Sequence, residues 1–188
     1  MAAKISSREI KTLQILIIVI VGAVFLFSAA ILVLYYKNLF EVPLIQDVPY
    51  FYKILIFTLF FIALVEYAVV YFLPKFLLTT DKLKTRLSQS VYNQKGKAID
   101  DPVFKLLQIY RQLMIMRLAF LDGVAILGLA ILFLTISDGF IRTQPQYWLL
   151  LLPLIILLIY AYLYFPTKDK IIFYIENNML NKLKKYNQ

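Results

Sequence analysis

Glu66, Arg117 and Asp122 are ionisable side chains set inside otherwise apolar runs. A charge at the centre of a bilayer costs about 2.5–3.5 kcal/mol on insertion scales, so such residues face a bundle interior, pair with one another or mark an ion path. Glu66 precedes Pro74 by eight residues and Asp122 follows Leu113 by nine. At about 1.5 Å per helical residue, both stand roughly 12–13 Å inside their runs. Two chemistries fit. Glu66 and Arg117 can form a buried ion pair that fixes helix register, with Asp122 joining it or holding a proton. Alternatively, the carboxylates Glu66 and Asp122 can carry a proton or a cation. The structural use is the leading expectation. Ala119 and Gly123, flanking Asp122, have the small-xxx-small spacing that lets helices approach closely.

Other chemistry is missing. The chain has no Cys and no His, which removes thiol nucleophiles, disulfides, thiolate metal sites and imidazole acid–base catalysis. It has no G-x-S-x-G string and no metal-ligand spacing. The expectation is a protein that is not an enzyme and has no metal and no cofactor.

The elements that must position the three charges follow from hydropathy. The chain has 188 residues, 62% hydrophobic and 16% charged; soluble domains run at roughly 45–50% and about 25%. A hydrocarbon core about 30 Å thick takes about 20 apolar residues of helix. Four runs qualify, at residues 12–36, 54–73, 113–137 and 147–165. Asp100 or Asp101 is placed to cap a third helix that starts at Pro102 and runs on to Ser137. Pro153 is the one strong breaker within a span.

The basic residues are unevenly spread. The two tails and the segment between spans two and three, counted through Arg117 near the start of span three, hold 17 Lys and Arg; the other two loops hold three. Lys and Arg are retained on the cytoplasmic side, so both termini and the middle segment are expected there, in a bacterial inner membrane. The net charge of +9 then reflects topology and contact with anionic lipid headgroups, not nucleic acid. Tyr35, Tyr36, Tyr50, Tyr52, Tyr147 and Trp148 stand near the outer ends of the spans, and Tyr71, Tyr162 and Tyr164 toward the inner ends. Both groups suit interfacial anchoring.

The two halves resemble each other. Tyr67-Ala68-Val69-Val70-Tyr71-Phe72 matches Tyr160-Ala161-Tyr162-Leu163-Tyr164-Phe165, and a Pro and a Lys follow each string. The expected architecture is all-α: two duplicated parallel hairpins, residues 1–97 and 98–188, each followed by a cytoplasmic amphipathic helix at 80–92 and 168–185. In the first of these, Leu83, Leu87 and Val91 form the apolar stripe; in the second, Ile172, Ile175, Met179 and Leu183 do. Such helices suit the inner leaflet surface, with docking to a protein as the competing use. The linker Asn93-Gln94-Lys95-Gly96-Lys97 separates the halves.

The string Arg117-Leu118-Ala119-Phe120-Leu121-Asp122-Gly123, continuing to Gly128-Leu129, resembles the carboxylate helix of rotary ATPase c subunits. That resemblance would make Asp122 the ion-binding carboxylate. Those rings pack through Gly-rich helices and carry the carboxylate on the second helix of a hairpin. This chain has five Gly and carries Asp122 on a first helix, so ring membership is not expected. The pattern around Asp122, with Phe165-Pro166-Thr167-Lys168-Asp169-Lys170 after the last span, is similar to small uncharacterised four-helix bacterial membrane proteins. This resemblance implies the architecture and no activity. The expected company is the lipid bilayer, with a membrane-protein partner or a second copy of the chain.

Overall fold

The computed structural model describes residues 7–38, 49–89, 91–92, 98–99 and 101–186. Among the described residues the fold is all-α apart from one two-stranded ladder. Helix α1 spans Ser7–Asn38, α2 Tyr50–Leu77 and α3 Thr80–Ser88; strand β1 (Val91–Tyr92) pairs antiparallel with β2 (Ala98–Ile99); α4 then spans Pro102–Ser137. A 3-10 turn at Phe140–Arg142 leads into a 3-10 segment at Pro145–Leu151, which continues as α5, Leu152–Leu163. The chain ends in α6 (Lys168–Ile175), a π turn (Glu176–Leu180) and α7 (Asn181–Tyr186).

Among the described residues, four helices are long and apolar enough to cross a membrane: Ser7–Asn38, Tyr50–Leu77, Pro102–Ser137 and Pro145–Leu163. Hydrocarbon offers the backbone no partner, so a crossing segment must satisfy its own N–H and C=O groups, and a helix does so. The third of these has the expected bounds. Asp101 caps it, accepting from the Val103 amide at 3.0 Å, and Pro102 supplies the preset first turn. Asp100 and the linker 93–97 lie outside the described residues. Pro153 does not kink a helix. It sits at the second position of α5, where the 3-10 segment widens into an α-helix and a missing N–H costs little. At the other end of α4, Gly139 takes a left-handed φ of 79°, the usual device for ending a helix.

The chain falls into two compact units that cut across the sequence halves. One comprises Ile18–Val70 and Leu118–Tyr164. Here α4 is the central element: half of its apolar stretch is buried, against 33% for the fourth span, 22% for α1 and 6% for α2. Leu121, Val124, Ala125, Leu129, Leu132 and Ile136 form its buried stripe, at the three-to-four spacing of a packed helix face. Gly128 lies on this stripe. A Cβ there would stand 2.7 Å from the Leu150 carbonyl oxygen, so hydrogen at this position is what lets the fourth span lie against α4.

The other unit comprises Met1–Ile17, Tyr71–Arg117 and Phe165–Gln188. Its core takes Leu13 from α1, Leu83 from α3, Leu106 and Leu113 from α4, and Ile171, Ile175 and Met179 from the C-terminal helices. Of the stripe residues expected at a lipid surface, Leu83, Ile175 and Met179 are buried in protein, while Leu87 and Leu183 are half-buried. Two details differ from the sequence reading. The helix expected over 80–92 ends at Ser88, and Val91–Tyr92 enters the ladder instead. The C-terminal stripe runs through Ile171, fully buried, with Ile172 only half-buried. Polar side chains close the helix ends. Lys182 Nζ donates to the Leu78 carbonyl at 3.2 Å, and Lys105 Nζ, on a nearly buried side chain, donates to the Leu87 carbonyl at 2.8 Å. Both cations meet carbonyls at or just beyond helix C-termini, where the helix dipole favours them. The Pro166-Thr167 pair has a local role: Pro166 accepts from Gln14 Nε2 at 2.8 Å, and Thr167 caps α6.

Gly128→Val should lower thermal stability in detergent by about 1–3 kcal/mol, the usual cost of overpacking. Gly22→Ala, where an added Cβ meets nothing within 4 Å, should leave stability unchanged or raise it by up to about 1 kcal/mol. Thermal unfolding of the two variants side by side checks both.

Candidate functional site

Glu66 and Asp122 belong to the same compact unit, Glu66 on α2 and Asp122 on α4. The contact that relates them is Gly123. A Cβ on this glycine would stand 3.6 Å from Glu66 Oε2 and 3.9 Å from Oε1. The Glu66 carboxyl group therefore lies over the bare backbone of α4, one residue from Asp122. Gly123 opens space for a side chain, whereas Gly128, further along the same helix, admits the backbone of another. Ala119, expected to share the packing face with Gly123, is exposed.

Three polar atoms here are buried and have no hydrogen-bond partner among the described residues: Glu66 Oε2, Asp122 Oδ1 and the hydroxyl of Tyr67. An unsatisfied buried polar atom costs about 1–3 kcal/mol, and more when charged. Two carboxyl groups and a phenol in one unit are chemically able to hold and exchange protons. Tyr67 was legible in sequence only as part of the repeated aromatic string; its place directly after Glu66 was the available signal. Arg117 is half-buried and belongs to the other unit, as the last residue of its α4 segment. Among the described residues, no group of three or more His, Cys, Asp and Glu could hold a metal.

A second polar contact stands at the other end of the same unit. The Tyr52 hydroxyl donates to Asp138 Oδ2, and the Tyr52 ring packs edge-on to Phe140 with centroids 5.0 Å apart. Tyr35 meets Trp148 in the same geometry at 5.1 Å. The expected outer aromatic anchors thus pack on one another as well as lying at span ends. Between α2 and the fourth span lies an almost wholly apolar groove of about 650 Å³. Tyr67 lines it and Glu66 does not.

Comparison with family models, with curated proteins and with solved structures finds no match to this chain.

Gly123→Ala should be accepted, because 3.6 Å is an ordinary van der Waals contact. Gly123→Leu must displace the Glu66 carboxyl group and should lower thermal stability by about 1–3 kcal/mol. Combining it with Glu66→Ala should recover part of that loss, since touching residues couple. Strictly additive losses in a double-mutant cycle would show that the two positions do not share this space.

Proposed function

We propose that the chain is a non-enzymatic accessory or structural protein of the bacterial inner membrane, with its spans arranged as two duplicated parallel hairpins. One observation carries the orientation on which this reading rests. The segments that cluster into the Leu83–Ile175 unit hold, in sequence, 17 of the 20 Lys and Arg against six of the 11 acidic residues. The segments of the other unit hold three Lys and Arg. A division made by packing alone thus coincides with the division by charge. Cytoplasmic segments retain Lys and Arg, so the basic unit is cytoplasmic and both termini with it. Element order supports the duplication: a long helix, a second span and a shorter helix recur as α1–α2–α3 and α4–α5–α6.

The basic unit meets the inner leaflet through charge. Leu83, Ile171, Ile175 and Met179 are buried within it, whereas Lys84, Lys168 and Lys170 are exposed. A Lys or Arg near an anionic membrane surface contributes about 1 kcal/mol. A cytoplasmic partner would use this face, and a second copy in the membrane would use the exposed face of α2.

A second reading, a small proton or cation translocator, is favoured by the unpartnered oxygens of Glu66 and Asp122, because intramembrane carboxyl groups mark ion pathways. The accessory reading gives both groups a structural use with no ion to carry, either as neutral acids or with Glu66 paired to Arg117. Glu66→Gln and Asp122→Asn keep the shape of a neutral carboxyl group, so each should change thermal stability by less than about 1 kcal/mol. Both should leave proton leak in proteoliposomes unchanged. A wild-type proton flux abolished by either variant would promote the translocator. A large stability loss in Glu66→Gln that Arg117→Met reverses would instead establish the ion pair.

The chain has no Cys, so an introduced thiol is unique. A Cys at Gln146 should react with a membrane-impermeant maleimide in intact cells. A Cys at Gln89 or Asn177, both exposed, should react only after permeabilisation. Labelling at Gln89 in intact cells would overturn the orientation.

A further inference from the structure

We infer that the groove between α2 and the fourth span holds one acyl chain of a membrane phospholipid, with the lipid's polar end at Gln146; this rests on the spans crossing a bilayer. On α2 the groove is lined by Ile56, Leu59, Phe60, Ala63, Leu64 and Tyr67. These positions follow one another at three-to-four-residue spacing and form a straight stripe along the helix. From Ile56 to Tyr67 is eleven residues, or about 16 Å. That is half of a hydrocarbon core about 30 Å thick, hence the depth of one leaflet.

The lining fits an amphiphile. Its volume of about 650 Å³ lies within the roughly 300–1,000 Å³ of ligand pockets, which are mostly apolar with a few placed polar groups. Apart from two tyrosines, the only polar side chain lining it is Gln146. Gln146 is exposed, next to Tyr147 and Trp148, at the level where aromatic residues meet the headgroup region. The polar end of the groove is therefore at the interface, and its apolar length runs inward along the spans.

The fold explains why the space exists. Gly128 draws the Leu150 backbone onto α4. The fourth span begins as a narrow 3-10 segment and widens only from Leu152. Opposite, α2 presents the small Ala63 and has only Tyr52, Leu59 and Val70 buried. A span held against α4 leaves a slot beside α2. An apolar slot in water would collapse or draw a partner, but lipid fills it with a chain of matching length. A transmembrane helix of another protein fits less well. It would be about 10–12 Å across with side chains and cross both leaflets, whereas the groove stops at Tyr67.

The test uses the full chain reconstituted in vesicles of phosphatidylethanolamine and phosphatidylglycerol. The protein is re-extracted in a delipidating detergent, and retained lipid is counted by native mass spectrometry. Wild type should keep one phospholipid per chain. Ala63→Phe and Ile156→Trp fill the slot and should each cut that occupancy about tenfold, equivalent to about 1.4 kcal/mol. Ala23→Phe, on an exposed position of α1, should retain lipid as wild type does. A single-chain lysophospholipid should compete for the site, and glycerophosphocholine, which has no chain, should not. Equal retention in all four proteins would reduce the site to general annular lipid and overturn the inference, as would a polypeptide retained in place of lipid. Carbonate extraction of the chain from membranes would contradict the membrane reading itself and is scored separately.

Discussion

Hydrocarbon supplies no hydrogen-bond donor and no acceptor, and the structure follows from that constraint. It requires every crossing segment to satisfy its own backbone, hence four helices. It also withdraws the hydrophobic effect as a force between spans, because lipid is as apolar as leucine; packing and polar contacts must hold spans together. The interior uses both. Gly128 lets the fourth span reach the α4 backbone, and Tyr52 joins Asp138 at the span ends. The other unit is built differently. Leu83, Ile171, Ile175 and Met179 are fully buried, and lysine heads close helix C-termini, as in a soluble domain core.

What the sequence made legible divides along the same line. Hydropathy located all four spans, because a run of about 20 apolar residues has few other uses. The bounds of α4 were also legible, since Asp101-Pro102 is a local start signal that needs no tertiary partner. The apolar stripes of α3 and the C-terminal helices were harder. Their apolar spacing was recognisable, but whether such a stripe meets lipid or protein depends on what else is near. Ile171 and Ile172 differ by only about 100° around a helix, so a one-residue error in the stripe carries little penalty in sequence. The ladder at Val91–Tyr92 was lost for a related reason: the i, i+4, i+8 pattern through Val91 favoured helix.

The candidate site was legible as composition and not as geometry. Glu66 and Asp122 were conspicuous because they break apolar runs. That the Glu66 carboxyl group lies over Gly123 was not readable, since small-xxx-small spacing says only that something comes close. Along α4 the two glycines have opposite uses, Gly123 under a carboxyl group and Gly128 against a carbonyl oxygen. Nothing local distinguishes them. Tyr52 and Asp138 are 86 residues apart, and no periodicity connects them.

The carboxyl groups and the groove bear on each other. A translocator needs water or a relay of polar groups leading to its carboxylates. The groove beside α2 is lined by apolar side chains and includes Tyr67 but not Glu66. A hydrocarbon chain seated there would seal the Tyr67 side of α2 and keep water from its neighbour. Under that arrangement an ionised Glu66 would face low dielectric with Oε2 unpartnered, a state that costs several kcal/mol even after relaxation. The neutral acid avoids most of that cost and still offers one donor. A lipid-filled groove would therefore close one side of α2 to water, while the Glu66 carboxyl group itself lies over Gly123 of α4.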